Sequence, residues 1–141
     1  MIKHSSLNQL SYLIVDDDQR SRRILQTIIE KSIGSHLVYT IDNSANFIWG
    51  LEKIETRPNV IFFDLMMEPF SGFDLLEQLR NAPQYNECIA IAVTARAMSH
   101  DIEKMKEAGF QGLISKPIVR KVFPELLKRI VLNGESIWYV A

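Results

Sequence analysis

Cysteine occurs once in the 141 residues, at Cys88, so no internal disulfide framework can hold this chain together. The run around it, Cys88-Ile-Ala-Ile-Ala-Val93, reads as a place for a buried, reduced thiol. An excess of one charge is equally missing. Sixteen Lys+Arg stand against seventeen Asp+Glu, a net charge of −1, which leaves no basic surplus to neutralise phosphates and argues against nucleic acid as a partner. The longest apolar runs fall far short of the roughly 18 residues of a membrane-spanning helix. The start of the chain, Met1-Ile-Lys-His-Ser-Ser6, has no apolar stretch of the kind a secretory leader carries. No internal repeat and no low-complexity segment occurs. These absences read as an intracellular, cytoplasmic chain without membrane insertion. At this length one domain is expected, able to bury roughly two-thirds of its unfolded surface without a metal or disulfide staple.

What is present is an alternation. Short apolar runs occur at Tyr12–Val15, Leu37–Ile41, Val60–Phe63, Ile89–Val93 and Gly112–Ser115. They are continuous rather than alternating, the pattern of strands covered on both faces in a parallel sheet. Between them, apolar residues recur at three- and four-residue spacing: Ile24, Leu25, Ile28 and Ile29; Phe47, Ile48, Leu51 and Ile54; Phe73, Leu75, Leu76 and Leu79; Ile102 and Met105. These are buried stripes of helices. Asn43 or Ser44, Ser71 and Ser99 suit the starts of the second, third and fourth helices, and Gly109 suits the end of the fourth. A fifth helix over about residues 120–131 contains Pro124, so it either kinks there or begins near it. Five strand–helix pairs predict an α/β fold: a doubly wound, five-stranded parallel sheet with five helices.

Function in such a sheet gathers at the carboxyl ends of the strands. After the first run comes Asp16-Asp17-Asp18, after the third Asp64, after the fourth Thr94, and after the fifth Lys116. Asp18 also suits a helix N-cap, and each of the others has an ordinary structural reading taken singly. Together they make a site of carboxylates, a hydroxyl and an ammonium. Several carboxylates side by side require a cation. An oxygen-rich set without a Cys/His cluster suits Mg²⁺ better than zinc. An ammonium and a hydroxyl beside it suit an anionic oxygen. The combination points to phosphoryl chemistry with an aspartate acceptor.

The segments Tyr12-Leu-Ile-Val-Asp-Asp-Asp18, Asp64-Leu-Met-Met-Glu-Pro-Phe-Ser-Gly72, Val93-Thr-Ala-Arg-Ala97 and Ser115-Lys-Pro117 resemble, in order and spacing, a receiver domain of two-component response regulators. The likeness covers about residues 10–131 and is of the stand-alone, chemotaxis-type kind, with a flavodoxin-like fold. It divides the chain into a receiver at 1–131 and an apolar tail at 132–141. The resemblance implies Asp64 as phospho-acceptor, Lys116 and Thr94 as its catalytic companions, and Mg²⁺ as cofactor. The metal ligands it implies are Asp17, Asp64 and the backbone carbonyl of Met66, with Asp16 assisting through water. It further implies a sensor histidine kinase or phosphotransfer protein as donor and a downstream protein as recipient. Such a protein is a switch that catalyses only its own phosphorylation and dephosphorylation. A phosphorylation-independent interaction module is the alternative. A haloacid-dehalogenase-like phosphatase is more remote, because Arg20 stands two residues beyond Asp18 and no cap insertion exists.

Three positions depart from the family's pattern. Glu68-Pro69 replaces the usual Pro-Gly after the acceptor, leaving Glu68 to help order a hydrated metal or to face solvent. Leu113 stands where an aromatic residue is common. Arg96, two after Thr94, is expected to affect phosphoryl lifetime, and an ion pair from Arg96 to Glu68 is conceivable. The tail Ser136-Ile-Trp-Tyr-Val-Ala141 either folds back over apolar surface, or adds an edge strand or contacts a partner or second copy, which would make a homodimer.

Overall fold

The computed structural model describes residues 6–141; Met1–Ser5, where the expected absence of a secretory leader falls, lie outside the described residues. The strands are β1 (Tyr12–Val15), β2 (Val38–Ile41), β3 (Val60–Phe63), β4 (Ile89–Thr94), β5 (Gly112–Ser115) and β6 (Ile137–Tyr139). The helices are α1 (Gln19–Ile28), α2 (Phe47–Lys53), α3 (Gly72–Arg80), α4 (Ser99–Ala108) and α5 (Phe123–Val131). The sheet runs β2-β1-β3-β4-β5-β6, parallel at every step. Strand order reverses between β1 and β3, and that is where a doubly wound sheet opens a crevice beyond its strand ends.

Each face of the sheet carries its own core. On one face Leu13, Val15, Ile61 and Phe63 pack against α2, α3 and α4 through Phe47, Leu51, Leu75, Leu76, Leu79 and Met105. Phe63 meets Phe47 and Phe110 edge-on, and Phe110 meets Phe73, with ring centroids 5.6, 6.0 and 5.8 Å apart. On the other face Tyr12, Ile14, Val60 and Phe62 pack against α1 and α5 through Leu25, Ile28, Phe123, Leu127 and Ile130. The residues of β1 and β3 are fully buried, which is why those strands read as unbroken apolar runs.

Local chemistry sets the helix ends. The Asp18 carboxylate accepts from the Ser21 N–H, capping α1. Ser71 and Asp74 form a reciprocal box at the start of α3. α4 begins one residue earlier than Ser99 suggests, with Asp101 accepting from the Met98 N–H. Gly109 closes α4 in the left-handed region at φ 99°. α5 starts at Phe123 with Pro124 in its first turn, so no kink is required. α1 runs on into a π-helical turn at Ile29–Ile33, which ends at Gly34 with φ 85°, a feature the apolar spacing does not reveal. Cys88 is buried with its Sγ 3.0 Å from the Pro58 carbonyl, and burial pushes its thiol up, away from the reactive thiolate.

The five expected strands and five helices are present, and the chain reverses after α5 and lays Ile137–Tyr139 along β5 as a sixth, the added edge strand that is one reading of the tail. Gly134 takes φ 68° at the reversal, and Arg129 donates from Nε and Nη2 to the Glu135 carboxylate at 3.2 and 2.9 Å. Three residues are too few for periodicity to separate strand from coil. Ile24, read as part of a buried stripe, is 48% exposed; only Leu25, Ile28 and Ile29 of that group reach the core.

Close approach of β6 depends on Gly112, where a Cβ would stand 2.8 Å from Ile130 Cδ1 and 3.0 Å from the Ile137 carbonyl oxygen. Gly112→Ala is therefore expected to cost about 1 kcal/mol of unfolding free energy, read by urea denaturation, with the loss of protection concentrated in β6.

Candidate functional site

The acidic residues sit where β1 and β3 end. Asp16 follows Val15 and Asp64 follows Phe63, strands that pair directly with Val15 opposite Phe63. Asp16 and Asp64 are buried and Asp17 is exposed. One carboxylate oxygen from each of Asp16, Asp17 and Asp64 falls within 4.8 Å of the others. The donor set is all oxygen, with one carboxylate open to solvent, and it fits a hard divalent ion that keeps part of its water shell.

Lys116 arrives from the end of β5. Its Nζ stands 2.8 Å from Asp16 Oδ2 and 3.4 Å from Asp64 Oδ2. Burial raises the Asp64 carboxyl above the usual carboxylate range; the Asp16 charge adds to this, and Lys116 opposes it without cancelling it. Burial would draw the Lys116 ammonium down, but its hydrogen bond to Asp16 and the Asp64 charge outweigh that and push it up. The lysine is thus held as a cation between two anions.

Thr94 closes β4 and is buried; its Oγ1 accepts from the Arg96 N–H at 3.2 Å. Lys116 N donates to the Thr94 carbonyl at 2.9 Å, so hydroxyl and ammonium are fixed to each other through the backbone. Met66 is exposed, and its N–H donates to Asp64 Oδ1 at 3.2 Å. The sequence-derived residues Asp16, Asp17, Asp64, Thr94 and Lys116 therefore share one sheet edge, with Met66 on the adjoining loop.

The matching family model is the response regulator receiver domain, aligned over residues 12–130. The chain belongs to the response regulator receiver family. Among curated relatives of this receiver is a polar-differentiation response regulator, DivK, of Brucella anthropi. It is 31% identical over 122 residues, which cover 84% of this chain and 93% of the relative. The DivK of Brucella ovis is 30% identical over the same shares. In fold, the receiver is similar to the Vibrio cholerae chemotaxis protein CheY4, with TM-score 0.76 and 22% identity over 86% of this chain and 98% of that one. It is also similar to a signal receiver domain from Colwellia psychrerythraea, with TM-score 0.76 and 22% identity over 87% and 98%.

The structure corrects or adds to the reading of this receiver at several residues. Arg96 pairs with Asp101 on α4, Nε to Oδ2 at 3.6 Å, not with Glu68. Glu68 is exposed on the loop after β3. Leu113 is fully buried and faces Trp138 across the β5–β6 pair. Asp42 directly follows β2 at the same sheet edge and is exposed, outside the three-carboxylate group. Three contributors escaped sequence reasoning. Arg22 Nη1 donates to the Asp16 carbonyl at 2.8 Å and steadies the β1–α1 loop; its one signal is a guanidinium one turn into α1. Asp16 Oδ1 also accepts from the Asp18 N–H at 2.9 Å. A cleft of about 360 Å³ opens beside the acids, walled by Ile14, Ile24, Leu25, Phe62 and Ile118, and the exposed Ile24 lies on it.

Gly72 presses on the backbone of Asp64: a Cβ there would stand 2.5 Å from the Asp64 carbonyl oxygen. Gly72→Ala is expected to cost about 2–3 kcal/mol, as overpacking against backbone does, measured by thermal unfolding. Asp64→Asn acts in the opposite direction in metal-free buffer. A carboxyl raised in the fold contributes stability below its unfolded pKa, and that contribution is lost as pH rises through the folded value. At pH 7 the neutral Asn side chain is therefore expected to raise the melting temperature, a gain that vanishes in acid.

Proposed function

We propose that this receiver accepts a phosphoryl group on Asp64 from a histidine kinase or phosphotransfer protein and signals in the cytoplasm through contacts with another protein. The observation that carries the reading is the Lys116 ammonium held at 2.8 and 3.4 Å from Asp16 and Asp64, beside a hydroxyl fixed to it through the backbone. An Asp64 oxygen attacks phosphorus, the phosphorus–nitrogen bond of a phosphohistidine breaks, and its electron pair stays on the imidazole nitrogen. The product is an acyl phosphate on Asp64. Negative charge spreads over the three equatorial oxygens during transfer. Lys116, freed from its bond to Asp16, is the group that meets it, and Thr94 turns its hydroxyl from the Arg96 amide to donate to a phosphoryl oxygen.

Asp17, Asp64 and the Met66 carbonyl are the residues that would hold Mg²⁺, with Asp16 behind them through water. When bound, the ion supplies the positive charge that lets acceptor and phosphoryl oxygens approach. The product carries about two negative charges and three acceptor oxygens, enough to draw the ends of β4 and β5 inward and repack the surface of α4, β5 and α5. The receiver at 1–131 is the unit that takes the group, and the tail at 132–141 adds β6 to its sheet. Arg96 and Leu113 are expected to tune phosphoryl lifetime and the repacking.

Incubation with Mg²⁺ and acetyl phosphate, read by intact mass, is expected to add one phosphoryl group to the wild type and none to Asp64→Asn. Labelling that persists in that variant assigns the acceptor elsewhere. Lys116→Ala is expected to slow labelling by about tenfold or more. Mg²⁺ at a hundredfold excess over its Kd should raise wild-type stability by about 3 kcal/mol, and Asp17→Asn should abolish that gain.

A further inference from the structure

β6 is a segment with its own built seat. Ile137 and Tyr139 join the core on the α5 side, while Trp138 packs with the cluster on the other face. The three residues pair in register with Gly112, Leu113 and Ile114. Trp138 lies under the Lys106 ammonium of α4, 5.6 Å from Nζ to ring centroid, beside Leu113. Gly112 leaves room for the Ile137 carbonyl, and the Arg129–Glu135 ion pair anchors the approach. The edge of β5 therefore selects backbone by pairing and side chains by pocket: aliphatic, aromatic, aromatic, running parallel to β5.

The occupant is held lightly. Every residue of β6 is only half-buried, and Val140 beyond it is 50% exposed. A three-residue edge strand of this kind opens at the low end of a protein's range of local stabilities.

Its far end is tied to the acidic site. The buried Ser115 Oγ accepts from the Ala141 N–H at 2.9 Å. Ser115 is the residue opposite Thr94 in the β4–β5 register, and the next residue is Lys116, whose Nζ lies against Asp16 and Asp64. Whatever draws Thr94 and Lys116 toward a new anion moves Ser115 with them, and with it the bond to Ala141.

We propose that the edge of β5 is a strand-binding site for a short extended aliphatic–aromatic–aromatic segment, filled at rest by the chain's own Ile137–Tyr139, and that phosphoryl uptake at Asp64 loosens this occupant. The loosening rests on the phospho-acceptor reading above; the strand site does not.

Hydrogen–deuterium exchange of the full chain, with Mg²⁺ and with or without acetyl phosphate, tests both halves when intact mass is read on the same samples. Phosphorylated molecules are expected to exchange the amides of residues 137–141 about fivefold faster, the effect of losing one hydrogen bond, with β1 and β3 unchanged. Ser115→Ala is expected to give the same local acceleration without any phosphodonor. A fluorescein-labelled peptide of residues 135–141 should bind Trp138→Ala, whose own strand is weakened while the edge of β5 and Ser115 are intact, at least about tenfold more tightly than resting wild type, whose own strand competes. A gained phosphoryl group with unchanged tail exchange overturns the coupling and leaves Asp64 as acceptor. No gained phosphoryl group overturns the acceptor reading and the coupling together. A peptide that binds Trp138→Ala no better than wild type overturns the strand site.

Discussion

Three carboxylates gathered at the ends of β1 and β3, with Lys116 between two of them, are the constraint to which the rest of the molecule answers. Like charges this close do not hold together unaided. Among the described residues, Lys116 is the only cation whose side chain forms an ion pair with Asp16 or Asp64. The lysine can be there because β5 lies two strands from β3 and its end comes level with that of β4. The same parallel pairing carries Thr94 to that edge. Remove the doubly wound order, and the charges that repel and the charge that offsets them no longer meet.

The core serves that arrangement by being stiff. β1 and β3 are buried on both faces, with aromatic rings in contact through each layer from Tyr12 to Phe123 and from Phe47 to Phe73. Such interiors pack as densely as molecular crystals and repack in discrete steps. A site built on their ends keeps its spacing, whereas the loops that frame it are free to differ. Glu68 and Met66 are exposed on one such loop, and replacements there can change what the site meets without changing its floor.

Strand positions, helix faces and the five polar residues at the sheet edge were legible in the sequence because each follows from a short-range rule: continuous apolar runs, three- and four-residue stripes, and the residue directly after a strand. What escaped depends on relations across the fold. Ile24 satisfies the helical stripe, yet it stands at the edge of a cleft that exists only when α1 and the loop after β5 are placed. Arg96 is two residues from Thr94 in either description, but Asp101 at the start of α4 was nearer in space than Glu68. An added edge strand is one reading of the apolar tail, but β6 is too short to show a period; what decides for it lies at Gly112, twenty-five residues earlier in register, where the missing side chain makes room for it.

The parallel addition of β6 also decides what the sheet shows to a crowded solution. An open row of backbone amides and carbonyls is a template for another chain, and proteins blunt such rows by keeping edge strands short. The four residues of β5 have that row covered, and the outer rim passes to a strand of three residues. A neighbour that docks there finds few backbone groups to pair with before the chain ends its strand. The tail thereby lowers the tendency of this molecule to grow end to end into fibres.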